Sequence, residues 1–298
     1  MISELPLVRH TRFEDAYKYI ERCRETRQSK SNKLGFVLGE PGVGKSRLVS
    51  MVKDKSPSTR CGIADKVPVV ILKAPTRFTE SAFYTEILIS MGIRQKARAK
   101  TSELKIRVRE LLKQHHVELI VLDEAQDAIP LTGVKDRTQV VKALKFIVDD
   151  TCAAIVVIGT LAAKPLAFEE EQIASRSRPP FILQEFHYTT KEDRVYWRRF
   201  IKRVLLELDL PIRETQELSD RLMLATRGDL RALERLLIDI QAEDLVQQEQ
   251  VSTAEQALLL FENVWNKNFY GGPGQRSPFE LSKRSLRSAL RENFALER

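Results

Sequence analysis

The amino-acid sequence predicts an α/β protein: a three-layer domain on a parallel five-stranded sheet, followed by a smaller all-helical unit and a tail. Three observations predict it. Short apolar runs at 34–38, 67–72, 117–122, 153–160 and 181–183 alternate with segments of helical periodicity, as parallel strands joined by crossover helices require. Beyond residue 187 only helical periodicity remains, in 193–208, 216–226, 230–242 and 253–265, with short connections marked by Pro211, Gly228 and the polar 247–250. Between the first apolar run and the helix after it lies a stretch spaced G-x-x-x-x-G-K-[ST], residues 39–46.

Taken in order, Phe13, Ala16, Tyr17, Ile20 and Cys23 recur at helical spacing and define an amphipathic helix that leads into the first strand, 34–38. The loop that follows comprises Gly39, Glu40, Pro41, Gly42, Val43, Gly44, Lys45 and Ser46, with Arg47 continuing into a helix. Its glycines let successive backbone N–H groups turn around phosphate oxygens at a helix N-terminus. Lys45 is expected to reach the β- and γ-phosphates of ATP, and Ser46 to place its hydroxyl on Mg²⁺. The polar stretch 53–66, broken by Pro57 and Gly62, is expected to be a surface connection before the β-branched second strand.

Thr79 opens a helix that runs through Phe83, Ile87 and Leu88 to Gly92. From Arg94 to Arg109 seven basic residues then face one acid, Glu103. Such a run is either a solvated face or a phosphate-contacting one; because it starts in a loop, both remain open. The third apolar run ends in Asp123-Glu124-Ala125-Gln126. On a strand beside the loop, Asp123 is expected to hold the metal and Glu124 to polarise the attacking water. The fourth run ends in Thr160, which either hydrogen-bonds the γ-phosphate or the water, or caps the next turn. Residues 169–178 are expected to form a helix, acidic at its start and basic at its end, stopped by Pro179-Pro180 before the fifth strand.

The expected organisation is an N-terminal helical segment (1–33), an ATPase core (34–187), a helical lid (188–266) and a basic, flexible tail (267–298) rich in glycine at its start. Within the tail, Leu281, Leu286, Leu290 and Phe294 are spaced to form a helix on a partner. The net charge of +8 points to an anionic partner or to a merely basic soluble protein. Three scattered cysteines and four histidines form no disulfide framework or zinc spacing. With no signal pattern and no apolar run of bilayer length, a cytoplasmic, reduced protein is expected.

The phosphate loop, the Asp-Glu pair, the strand-end Thr160, the paired arginines Arg176 and Arg178 and the small helical lid together resemble the AAA+ ATPases. More narrowly, residues 67–71, 118–126, 158–160, 172–178 and 226–233 resemble the TniB, TnsC and MuB group of ATP-dependent transposition regulators. The resemblance implies that Lys45 and Ser46 are the Walker A residues, Asp123 and Glu124 the Walker B pair, Thr160 sensor 1 and Arg231 sensor 2. Arg176 matches the arginine finger that reaches a neighbouring subunit's ATP, with Arg178 as the alternative. DNA-backbone contacts are implied near Arg77 and Lys96, with Arg94 and Arg98 beside them. Implied partners are double-stranded DNA without base specificity, further copies of the chain in a ring or helical filament, a transposase, and a TniQ-type target-selection adaptor, alone or within an RNA-guided complex. Ser277-Pro278-Phe279 resembles an Asn-Pro-Phe of the family's partner-binding termini, with Ser in place of Asn. A replication initiator or helicase loader, and a nucleotide-gated scaffold without turnover, are the alternatives.

Overall fold

The computed structural model describes residues 8, 10–28, 32–61, 64–93, 99–128, 134–168, 170–243, 246, 251, 253–268, 270 and 276–294. They form two compact units, Thr11–Gln184 and Met1–His10 with Glu185–Arg298.

The first unit is built on five parallel strands: β1 (Leu34–Leu38), β4 (Val69–Lys73), β5 (Leu119–Asp123), β6 (Ala154–Gly159) and β7 (Phe181–Ile182), in the order β4-β5-β6-β1-β7. β1, β5 and β6 are buried at every position, which explains why they read as unbroken apolar runs rather than as alternating ones. Helices α1 (Thr11–Glu25), α2 (Lys45–Asp54), α3 (Glu80–Ser90), α4 (Thr101–Gln114) and α5 (Val134–Asp150), with the short α6 (Lys164–Phe168) and α7 (Glu171–Ala174), supply the remaining layers. Helix α1, expected in a segment of its own, belongs to this unit and buries Phe13, Ala16, Ile20 and Cys23.

Three local expectations are corrected. The polar stretch 53–66 contains an antiparallel pair, β2 (Thr59–Cys61) and β3 (Ala64–Lys66). The second sheet strand starts at Val69 and not Val67, because Pro68 has no N–H to give the ladder; its carbonyl accepts from Glu118 (2.9 Å) and Leu119 (3.1 Å). The helix expected over 169–178 shrinks to α7, since the Arg178 N–H donates to the Leu34 carbonyl (2.9 Å) and draws 177–178 alongside the sheet.

The second unit packs α8 (Lys191–Glu207), α9 (Gln216–Thr226), α10 (Leu230–Gln241), α11 (Ala254–Lys267) and α12 (Lys283–Phe294) around Trp197, Leu222, Leu236 and Phe261. Each of the first four starts at a side-chain cap, Thr190, Thr215, Asp229 or Thr253, and Thr190 and Thr253 complete capping boxes with Asp193 and Gln256.

The flexible-tail expectation fails for residues 276–294. Phe279 is buried and stacks on Phe261 with ring centroids 5.1 Å apart, while Leu286 and Leu290 of α12 are buried in the same core. The buried Arg221 of α9 holds the segment by its backbone. It donates to the carbonyls of Pro278 (2.6 Å), Phe279 (3.0 Å) and Leu281 (2.8 Å), and to Glu217 (2.7 Å). A glycine-rich, basic composition suggested disorder, but a buried arginine with four acceptors outweighs it. Arg221→Ala is expected to leave those carbonyls without partners and to destabilise the segment by about 3 kcal/mol. Amide exchange of residues 276–294 should then rise well above that of α10; unchanged protection would show that the apolar packing of Phe279, Leu286 and Leu290 holds the segment without Arg221. No helix among the described residues is long and apolar enough to cross a membrane.

Candidate functional site

Because β1, β5 and β6 run parallel, their C-terminal ends fall on one edge of the sheet, and each end carries an expected site residue. Strand β6 lies between β1 and β5, so the Asp-Glu strand is not the loop strand's neighbour as expected. The chain crosses from β1 to the edge strand β4 before returning through β5 and β6.

The loop from Gly39 to Gly44 joins β1 to α2. Gly42 and Gly44 adopt φ of 86° and 97°, where a side chain would be strained, and this curls the loop before α2 begins at Lys45. Gly39 is needed for space: a Cβ there would lie 2.5 Å from the Leu183 carbonyl oxygen and 2.9 Å from Val43 Cγ2. The Lys45 ammonium donates to the carbonyls of Gly39 (2.9 Å) and Glu40 (2.8 Å), so it lies across its own loop. Ser46 and Arg47 stand in the first turn of α2.

Asp123 ends β5 and is buried; its Oδ1 accepts from the Glu124 N–H at 2.9 Å. Burial pushes its carboxyl above the usual carboxylate range and the Glu124 charge adds to this, while the Glu124 N–H and the charges of Lys73 and Lys45 oppose it. Glu124 follows in the left-handed region, φ 53°. The Gln126 side-chain amide donates to Glu124 Oε2, and Gln126 Oε1 accepts from the Thr160 N–H at 3.0 Å. Thr160 begins the turn Leu161–Ala163, but its hydroxyl makes no capping hydrogen bond. The Gly159 carbonyl accepts from the Gly39 N–H at 3.1 Å. Hydrogen bonds therefore connect the loop, the Asp-Glu pair and Thr160. Nothing in the sequence marks Gln126 for a role, since a carboxamide two residues after a glutamate signals nothing until the strand ends are placed.

The two arginines differ in their surroundings. Arg176 is partly exposed and pairs with Asp149 (2.8 Å), and it also donates to the Gln172 carbonyl (2.9 Å). Arg178 reaches the Arg22 carbonyl and Thr26 Oγ1, both at 3.4 Å, with its Nε buried and unpartnered. Arg77 is exposed in the bend between β4 and α3. Arg94, Lys96 and Arg98 lie outside the described residues. Arg231 is exposed in the first turn of α10, in the helical unit, where Asp229 caps the helix by accepting from its N–H at 2.7 Å.

The family profile described as "Bacterial TniB protein" matches residues 1–188. No curated protein sequence matches the chain. Among solved structures, the ADP form of the ORC2 protein of Aeropyrum pernix is similar at TM-score 0.52 and 12% identity, over 98% of this chain and 87% of that one. Its ADPNP-ADP complexes give TM-score 0.50 at 12% identity, over 98% and 71%. The RuvB Holliday junction branch migration motor of Thermotoga maritima has TM-score 0.49 at 12% identity, over 86% and 68%. At such identities the likeness is one of fold. The sheet order, the loop that joins β1 to α2 and the profile match over more than half the chain agree: the protein belongs to the TniB family and has the AAA+ ATPase fold.

Proposed function

We propose that the protein is an ATP-dependent regulator of DNA transposition that assembles with ATP at its subunit interfaces along duplex DNA, presents a surface for a transposase and a target-selection adaptor, and comes apart on hydrolysis. The observation that carries this is the hydrogen-bonded meeting of Gly39, Glu124 and Thr160 at one sheet edge, in a chain of the TniB family. The backbone N–H groups of 39–46 and the Lys45 ammonium would hold the phosphates. Glu124 would accept a proton from the attacking water, and Thr160 would orient that water or the γ-phosphate.

Mg²⁺ fits the donors present. One buried carboxylate, Asp123, and the Ser46 hydroxyl suit a cation that takes few protein ligands and keeps waters and phosphates; no cluster of three or more acidic, histidine or cysteine ligands occurs among the described residues. Bound there, Mg²⁺ would neutralise phosphate charge. Arg176 is the better candidate for the finger that reaches a neighbour's ATP. Its partly exposed pair with Asp149 is worth only about 0–1 kcal/mol, so a phosphate can replace it, whereas Arg178 is tied to α1.

Exposed Arg77, together with Arg94, Lys96 and Arg98, would follow the DNA backbone through phosphates, which gives binding without base preference and with strong salt dependence. Electron microscopy of the purified protein with duplex DNA and a slowly hydrolysed ATP analogue is expected to show rings or filaments. These should require both additions and be lost in Arg77→Ala/Lys96→Ala. Monomers under every condition would overturn the assembly model.

A further inference from the structure

We propose that Gln126 is a positioning residue for ATP hydrolysis, whose side-chain amide sets the direction of the Glu124 carboxylate and couples it to the strand end that carries Thr160. This rests on the hydrolytic function proposed above.

At Glu124 the chain leaves β5 through a left-handed residue, φ 53°, and the short turn Ala125–Ala128 brings Gln126 back within reach of the glutamate that precedes it. The Gln126 carboxamide then makes two different bonds. Its NH₂ donates to Glu124 Oε2 and its oxygen accepts from the Thr160 N–H. Only one orientation of the amide satisfies both, because a main-chain N–H requires an oxygen and a carboxylate requires a donor. Glutamate in its place would set two carboxylates against each other, and alanine would leave Glu124 without this restraint.

Space for the bridge comes from Gly159. A Cβ at that position would lie 3.0 Å from Gln126 Oε1 and 3.3 Å from the Ala125 Cβ. The Gly159 carbonyl in turn holds the N–H of Gly39, the first residue of the phosphate loop. The bridge therefore ends on the residue next to the one that touches the loop. A shift of the β6 end, whether started at Gly39 or at Thr160, pulls on the amide that aims Glu124.

The consequence is chemical. Among the described residues no other hydrogen bond reaches the Glu124 carboxylate, so with Oε2 held by Gln126 the remaining oxygen is the one presented to water. A glutamate left to itself samples several side-chain rotamers, and a base misplaced by about 1 Å loses on the order of 100-fold in rate. Gln126 limits that sampling without touching the reacting atoms.

The test compares steady-state ATP hydrolysis by the full chain with that of Gln126→Ala, Gln126→Glu, Glu124→Gln and the Glu124→Gln/Gln126→Ala double variant, each first checked for an unchanged melting temperature. Gln126→Ala is expected to lower kcat about 30-fold with KM within about twofold, and Gln126→Glu to lower it at least as far. The double variant should be no slower than Glu124→Gln, since an aiming residue has nothing to aim once the base is gone. A Gln126→Ala enzyme with wild-type or faster kcat would overturn the role, as would a raised KM at constant kcat or further loss in the double variant. If instead the wild-type chain binds ATP but turns over no faster than Glu124→Gln, hydrolysis itself fails and the role falls with it. The first set of results leaves the hydrolytic function standing; the second does not.

Discussion

Glu124→Gln is expected to abolish turnover while leaving ATP bound. The amide keeps the shape of the carboxylate and its oxygen still accepts from Gln126, so the turn after β5 has no reason to change. What would be lost is the proposed proton acceptor. Removing a general base lowers rate by about 10²- to 10⁴-fold, and a fall of at least 100-fold in kcat is expected here. Nucleotide affinity should stay within about threefold of wild type, because the proposed phosphate contacts lie in the loop and Lys45. Assemblies on DNA formed by this variant should accordingly outlast those of the wild type. Single-turnover hydrolysis and the lifetime of DNA-bound protein after a competitor chase check both halves. A variant that hydrolyses at the wild-type rate would move water activation to another group.

Lys45→Ala is expected to fail one step earlier. The ammonium lies across the loop on the carbonyls of Gly39 and Glu40, where it holds the shape of the loop, and in the proposed function it also supplies the positive charge for phosphate. A charge-assisted hydrogen bond to phosphate is worth about 1.5–3 kcal/mol, so its loss should weaken nucleotide binding about 10- to 150-fold. Titration with a fluorescent nucleotide measures it. Affinity within a few fold of wild type would mean that the backbone N–H groups alone hold the phosphates. The two substitutions separate cleanly. One keeps ATP and cannot use it, and the other cannot keep it.

Much of this was legible because the residues are local in sequence. The span 39–46 specifies its own turn: φ of 86° and 97° falls on glycines, and Lys45 opens the helix that the spacing anticipates. The buried strands were visible as apolar runs because both faces of the sheet are covered, and the four helices after residue 187 because their apolar positions recur at helical spacing between Pro211, Gly228 and the polar 247–250. The antiparallel pair of 59–61 with 64–66 was not visible, since each strand is only three residues long and too short to show a period. Nor was the packing of 276–294. Arg221 looks like one more solvated helix charge until the carbonyls of Pro278, Phe279 and Leu281 are placed around it.

By itself, then, the sequence determined the alternating α/β pattern, the phosphate loop and the identity of the acidic pair, all set within windows of a dozen residues by backbone preference and hydrophobic period. Tertiary structure alone decided which strand ends meet, that β6 stands between the loop and Asp123, that Arg176 pairs with Asp149 while Arg178 reaches Arg22 and Thr26, and that Gln126 joins Glu124 to Thr160. The physical reason is separation along the chain. Apart from the Gln126–Glu124 bond, these contacts connect residues from 27 to 156 positions apart, and a hydrogen bond between residues distant in sequence leaves no periodic trace in the chain that makes it.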